Sequence, residues 1–341
     1  MSSPFEPPQP GAGGTPAGTG RYLVVRPYSI EGLGNRLVGL AGALWLAQRL
    51  QRTVVVDWRR CAFLIDPERN YFTELFYPKP EIVGVPVLYA PSAEAGDDRG
   101  NPDQLRLKLF SARAWQGLKD DGTTPTYLVA SKVLRLEKID PQGDPAARDR
   151  FLKAFYECLE PRRQISDELE AWWDGHLRGR VVIAVTVASG NGQFDRGGMH
   201  EGRVNMRVFD DEERFLRVLG AACEQAALSF PQARRDGYKV FFTTDSSSMA
   251  ALLSRLPGAI TRRSVFPPPG IGRHFADYAA LGYSDREAAA DVLIDMLLLA
   301  RCQALIRNKS LFSRYAVTMT DGFGGNVYEL ESLFAADTAP S

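Results

Sequence analysis

Apolar positions along the chain switch between two spacings, and the switches mark out the elements. YLVVR at 22–26 is a short β-branched run, followed by the loop PYSIEGLGNR. Apolar residues then recur at Leu37, Leu40, Ala41, Leu44 and Ala47, the three-and-four spacing of a helix face. TVVVDW at 53–58 reads as a second strand. Strand, glycine-containing loop, helix and strand predict a βαβ unit, because parallel strands require such a crossover.

From about 60 to 150 the pattern breaks into Pro-, Asp- and Gly-rich stretches such as YPKPEIVGVP and GDDRGNPD, which predict short elements joined by long loops. Two amphipathic helices close this half. RDRFLKAFYECLE carries Phe151, Leu152, Phe155 and Leu159 on one face, and ISDELEAWWDGHL carries Ile165, Leu169 and Trp172. The polar run DGHLRGR at 174–180 marks the expected boundary.

Beyond it the alternation becomes regular. VVIAVTVA at 181–188 is a continuous apolar run, the signature of a parallel strand covered on both faces. An Asp-capped helix (DDEERFLRVLGAACEQAAL) follows, then strand KVFFTTD, helix SSMAALLSRL, strand AITRR, helix DREAAADVLIDMLLLAR, strand QALIR and a helix opening in KSLFSRYAVTM. This predicts two doubly wound α/β domains, 21–175 and 176–325, between tails at 1–20 and 326–341.

Composition narrows the setting. The 341 residues suffice for two cores, and 41 basic residues balance 41 acidic ones. No overall field therefore favours nucleic acid or an anionic membrane. Cys61, Cys158, Cys223 and Cys302 form no C-x-x-C pair and read as free thiols of a reducing compartment. The Pro- and Gly-rich first twenty residues lack the apolar centre of a signal peptide. The most apolar run, DVLIDMLLLARCQALI, is interrupted by Asp295 and Arg301, so no membrane span is expected and a cytoplasmic protein is.

Four loops carry candidate chemistry. GLGNR (Gly32, Gly34, Asn35, Arg36) joins a strand to a helix, where glycines admit a close ligand and the helix start favours an anion. A tight structural turn explains it as well. The third glycine of the dinucleotide fingerprint is missing, which ranks a nicotinamide-dependent dehydrogenase last. In TTDSSS, Asp245 and Ser246 could bond a base or ribose, or cap the helix. In NKSLFSR, Ser310 and the first backbone N–H groups could bind a phosphate, with Ser313, Lys309 and Arg314 nearby, or Ser310 could be an ordinary cap. These two loops and 188–192, with Gly190 and Asn191, fall at one edge of the predicted sheet, where open α/β sheets bind ligands. Asp291 and Asp295, four apart on one helix, repel unless a partner meets them. His176, His200 and His274 share no metal-ligand spacing, and no D-x-D occurs, so neither metal nor cofactor is expected.

In order, GLGNRLVGLAGALWLAQRLQRTVVVDW, VTVASGNG, VFFTTDS and DVLIDMLLLARCQALIRNKSLFSRYA resemble the blocks of the nodulation protein Z family of α-1,6-fucosyltransferases, over about residues 22–317. The resemblance implies a GT-B fold, two facing Rossmann-like domains with the nucleotide sugar held mainly by the second. It implies metal-independent, inverting transfer from a GDP-sugar such as GDP-fucose to a hydroxyl of a glycan or small-molecule acceptor. By position it puts Asp245 or Ser246 near the guanosine and Ser310 near the diphosphate. Gly32, Gly34 and Asn35 become the wall of the cleft, and Asp295 matches an acidic position of the last long helix.

One block departs from the family. Where the family carries His-x-Arg, its Arg facing the leaving diphosphate, this chain reads Thr186-Val187-Ala188. Loss of one preorganised donor costs about 10²–10³ in rate. Arg196, Arg203 or Arg36 are the candidate replacements, and Asp195, His200 or Glu201 the candidate bases, with no spacing that selects among them. The alternative is a catalytically impaired relative that binds a nucleotide, sugar or protein partner.

Overall fold

The computed structural model describes residues 21–27, 31–59, 68–90, 126–129, 134–188, 211–262, 266, 280–283, 285–308 and 310–337. The predicted βαβ unit is present as β1 (Tyr22–Val25), α1 (Leu33–Leu50) and β2 (Thr53–Val56), with Tyr22 opposite Thr53 in parallel register. Helix α1 is buried on nearly every side, as a helix apolar all round must be. It is followed by α2 (Tyr71–Leu75), β3 (Glu81–Ile82), β4 (Val85–Tyr89) and β5 (Thr126–Val129). The first sheet has the order β3-β4-β2-β1-β5, parallel except for the edge strand β3.

Helices α3 (Leu136–Ile139), α4 (Pro145–Cys158) and α5 (Arg163–His176) connect the halves. Asp144 caps α4 by accepting from the N–H groups of Ala146 and Ala147, and Pro145 occupies the first turn, where its missing N–H costs nothing. The second half runs β6 (Val181–Val187), α6 (Glu212–Leu228), α7 (Pro231–Asp236), β7 (Tyr238–Thr244), α8 (Ser247–Leu253), β8 (Ala259–Ile260), α9 (Asp285–Arg301), β9 (Ala304–Arg307), α10 (Leu311–Met319), β10 (Val327–Glu329) and α11 (Leu330–Asp337). Its strands are parallel in the order β10-β9-β6-β7-β8. The chain winds outward from β6 to β8, then returns to β9 and β10 on the other side. The topological switch point therefore lies between β6 and β9.

Within the segment 326–341 that the sequence assigns to a tail, the described residues 326–337 form a strand and a helix. β10 pairs with β9 along Val327–Glu329, and Phe334 of α11 stacks on Phe215 of α6, the ring centroids 5.5 Å apart. YEL and LFAAD are too short to show a period on their own; the sheet supplies the partner that makes them a strand and a helix.

Alternate residues of β6 serve two cores. Val181, Ile183, Val185 and Val187 pack with α6 and α8, whereas Val182 and Ala184 join a larger core that runs through α9 and α10 into α1 and the first sheet. The N-terminus of α1, which follows β1, abuts the N-terminus of α10, which follows β9. A Cβ on Gly34 would lie 2.7 Å from the carbonyl carbon of Leu311 and 2.8 Å from the nitrogen of Phe312. The carboxyl ends of the two sheets thus face each other across this contact, the GT-B arrangement. Among the described residues no helix is long and apolar enough to cross a membrane.

Candidate active site

At the carboxyl edge of the second sheet, four residues in register make a polar row across one face. Thr243 on β7 lies opposite Thr186 on β6, Thr186 opposite Arg307 on β9, and Arg307 opposite Glu329 on β10. The Thr243 hydroxyl donates to the Thr186 hydroxyl at 3.0 Å, and both side chains are buried. The Arg307 guanidinium donates to Oε1 of Glu329 from Nε (3.1 Å) and Nη2 (2.9 Å), and from Nη1 to the Ser313 hydroxyl at 3.2 Å.

Asn308, 1% exposed, ties the switch point together. Its Oδ1 accepts from Ala188 N at 3.1 Å, and its Nδ2 donates to Ala188 O at 2.9 Å. It extends the link between β6 and β9 beyond the last paired residues, Thr186 and Arg307.

Ser310 is the N-cap of α10; its hydroxyl accepts from Ser313 N at 3.2 Å and lies 3.1 Å from the Ser313 hydroxyl. A chain of hydrogen bonds therefore runs from Glu329 through Arg307 and Ser313 to the start of α10. After β7 the helix cap is Ser246, accepting from Met249 N at 3.4 Å, so Asp245 is left half-buried at the strand end rather than used as the cap. Arg314 reaches the first domain instead, pairing with Glu137 on α3 at 3.3 Å.

Asp295, 2% exposed, has the cross-core partner that its spacing demanded. Arg262, just beyond β8, bonds Asp291, approaches Asp295 at 3.5 Å and pairs with Glu168 of α5 at 2.9 Å. Burial opposes the Arg262 charge, but the charges of Asp295 and Asp291 outweigh it and hold the guanidinium more firmly protonated than usual.

On the other side of the contact, Gly32 precedes α1 as its N-cap and offers no side chain to it, and Asn35 is half-buried in the first turn. Arg36, predicted as cleft wall and possible replacement cation, is corrected by the structure. It is fully buried inside the first domain, its Nε donating to Glu31 O at 2.7 Å and its guanidinium 5.8 and 5.6 Å from the rings of Trp58 and Tyr71. Helical geometry turns position 36 inward, toward the aromatic side chains that its stem and charge pack against.

At the carboxyl edge of the first sheet, Asp57 follows β2 and is held by Arg26 (2.7 Å) and Arg59 (2.8 Å). Burial would raise its pKa, but the hydrogen bond from Arg59 and the charge and hydrogen bond of Arg26 outweigh that and keep it below the ordinary carboxylate value. An acid there could serve a dinucleotide ribose; here two arginines occupy it, against the dehydrogenase reading.

Gly190, Asn191, Asp195, Arg196, His200, Glu201, Arg203, His274, Lys309 and Cys61 lie outside the described residues. His176 is exposed and stacks on Trp172 at 4.8 Å. Burial drives the Cys223 thiol up to about 12 and raises Cys302 further, so both are inert. Among the described residues no cluster of three or more His, Cys, Asp or Glu side chains could hold a metal. Arg307 is absent from the sequence-derived site, and Asn308 enters it only as the first residue of NKSLFSR. Their signal, two polar residues ending an apolar strand, is present in QALIRN.

Comparison with known proteins bears on the family and the fold. The nodulation protein Z (NodZ) family matches residues 19–99 and 147–329. Nodulation protein Z of Azorhizobium caulinodans is 27% identical over 319 residues, covering 87% of this chain and 88% of that protein. Its counterpart from Bradyrhizobium diazoefficiens is 27% identical over 327 residues, with 87% and 78% covered. Among solved structures, NodZ α-1,6-fucosyltransferase co-crystallised with GDP superposes with a TM-score of 0.57 at 25% identity, covering 87% of this chain and 91% of that one. POFUT1 in complex with GDP shares the fold at a TM-score of 0.51 and 14% identity, with 91% and 98% covered. With that family model matching both halves, over most of its length, the chain belongs to the nodulation protein Z (NodZ) family.

Proposed function

We propose that this glycosyltransferase moves fucose from GDP-fucose to a hydroxyl of a glycan or small-molecule acceptor, by direct inverting displacement without a metal. The observation that carries the reading is the convergence of the β6, β7 and β9 ends and the α10 N-terminus on the contact with α1, in a fold that a GDP-bound relative shares. Backbone N–H groups at the start of α10, with Ser310, suit the diphosphate. Asp245 at the end of β7 suits the polar edge of guanosine.

In the proposed step the acceptor oxygen attacks C1 of the sugar as the bond from C1 to the β-phosphate oxygen breaks, and GDP leaves with the charge. The acceptor proton passes to a base, for which Asp195, His200 and Glu201 are the candidates; Arg196 and Arg203 are candidates for added charge beside the diphosphate.

Calorimetry with GDP, ADP, UDP and CMP, followed by turnover of GDP-fucose on a glycan panel, tests the proposal. GDP-selective binding with fucose transfer is the expected result. Binding without transfer or hydrolysis across the panel would favour the catalytically impaired alternative, for which Thr186 and Ala188 at the strand end speak. No selectivity for GDP would refute both the donor and the reaction.

A further inference from the structure

The row Thr243–Thr186–Arg307–Glu329 places a cation one strand away from the position where this chain carries none. Ala188 and Thr186 end β6 without charge, and Thr243, Thr244 and Asp245 end β7 without a cation. Arg262 beyond β8 is surrounded by Asp291, Asp295 and Glu168 and has no positive charge to spare. Arg36 is sealed in the first domain. Arg307 sits at the switch point itself, in register with Thr186, and already bonds Ser313 in the first turn of α10.

We propose that Arg307 supplies the positive charge that meets the donor diphosphate, with Glu329 as its counter-ion until the donor binds. The inference rests on the GDP-sugar reading above. The grip of Glu329 is incomplete. Both Arg307 donors converge on Oε1, whereas a full fork would use two oxygens, and Oε2 is buried with no hydrogen-bond partner among the described residues. A diphosphate at the start of α10 offers the guanidinium several acceptors at once, so Arg307 exchanges a partner held through one oxygen for one that offers more. Ser313, fully buried between Arg307 and the Ser310 cap, fixes the direction of that exchange.

The test compares GDP with guanosine, since their difference isolates the phosphates. In the full-length protein, Arg307→Gln should weaken GDP tenfold or more while guanosine binding stays within twofold. Arg307→Lys should recover part of the loss, and Glu329→Gln should tighten GDP relative to guanosine. Equal weakening of both ligands, or no change in either, overturns the role of Arg307 while leaving the donor reading intact. Failure of the unaltered protein to bind GDP overturns both. Should Arg307→Gln fail to fold, the opposite shifts expected of Arg307→Lys and Glu329→Gln decide the matter, and GDP binding unchanged in both refutes the proposal.

Discussion

Gly34 and Leu311 meet so closely that hydrogen alone fits between the two helix starts, with 2.7 Å left for a Cβ against the Leu311 carbonyl carbon. The obstacle is backbone, which cannot swing aside as a side chain can. Gly34→Ala should therefore cost about 1–3 kcal/mol as an overpacking change. It should also weaken GDP by moving α10 away from α1. Denaturant midpoints and calorimetry check the two effects, and unchanged values in both would mean that the helices separate freely.

Arg262 stands among three carboxylates, two of them on α9 and largely buried. Removing it in Arg262→Met takes a buried partner from those charges, an expected loss of about 3–5 kcal/mol. Adding Asp295→Asn should return part of it. Urea unfolding of the single and double variants measures the coupling, and strictly additive losses would show that Asp295 draws little from Arg262.

Asp57 gives the acid limb of stability a defined sign. Its folded pKa is lowered, so its contribution is present above the unfolded value of about 3.9 and is lost as pH falls through the folded value. Asp57→Asn should be less stable than the unaltered protein at pH 7, with the gap narrowing below about pH 4. Thermal unfolding from pH 7 down to pH 3 follows it. A gap that stays constant would assign the loss to packing rather than to charge.

Asn308 donates to and accepts from the same residue, Ala188, and an aspartate can only accept. Asn308→Asp should cost about 1–3 kcal/mol for the half-buried Ala188 carbonyl left without its donor. Hydrogen exchange at Ala188 should quicken more than exchange at Val185, within the paired strands. Uniform change across β6 would indicate a global loss instead.

Much of the fold is legible because its spacing is local. The continuous run in β6, the Asp211 cap of α6 and the helix face of α1 each carry their pattern within a few residues. Ser246 and Ser310 are legible as helix starts because each follows a strand end. Arg307 escapes because its meaning comes from Thr186 and Glu329, which reach it through register rather than sequence. Arg36 misleads for a related reason: a loop motif suggests solvent, while Trp58 and Tyr71, distant in the chain, close over it. The C-terminal segment reads as a tail because its strand has three residues, too few to show a period.

The larger core passes without a break from Leu23 and Val54 in one sheet, through α1 and α10, to Val182 and Leu305 in the other. Family members that trade halves by recombination would therefore inherit mismatched packing along that shared layer, even when each sheet arrives whole. A protein engineer who wants a working hybrid must move α10 together with the α1 it was shaped against.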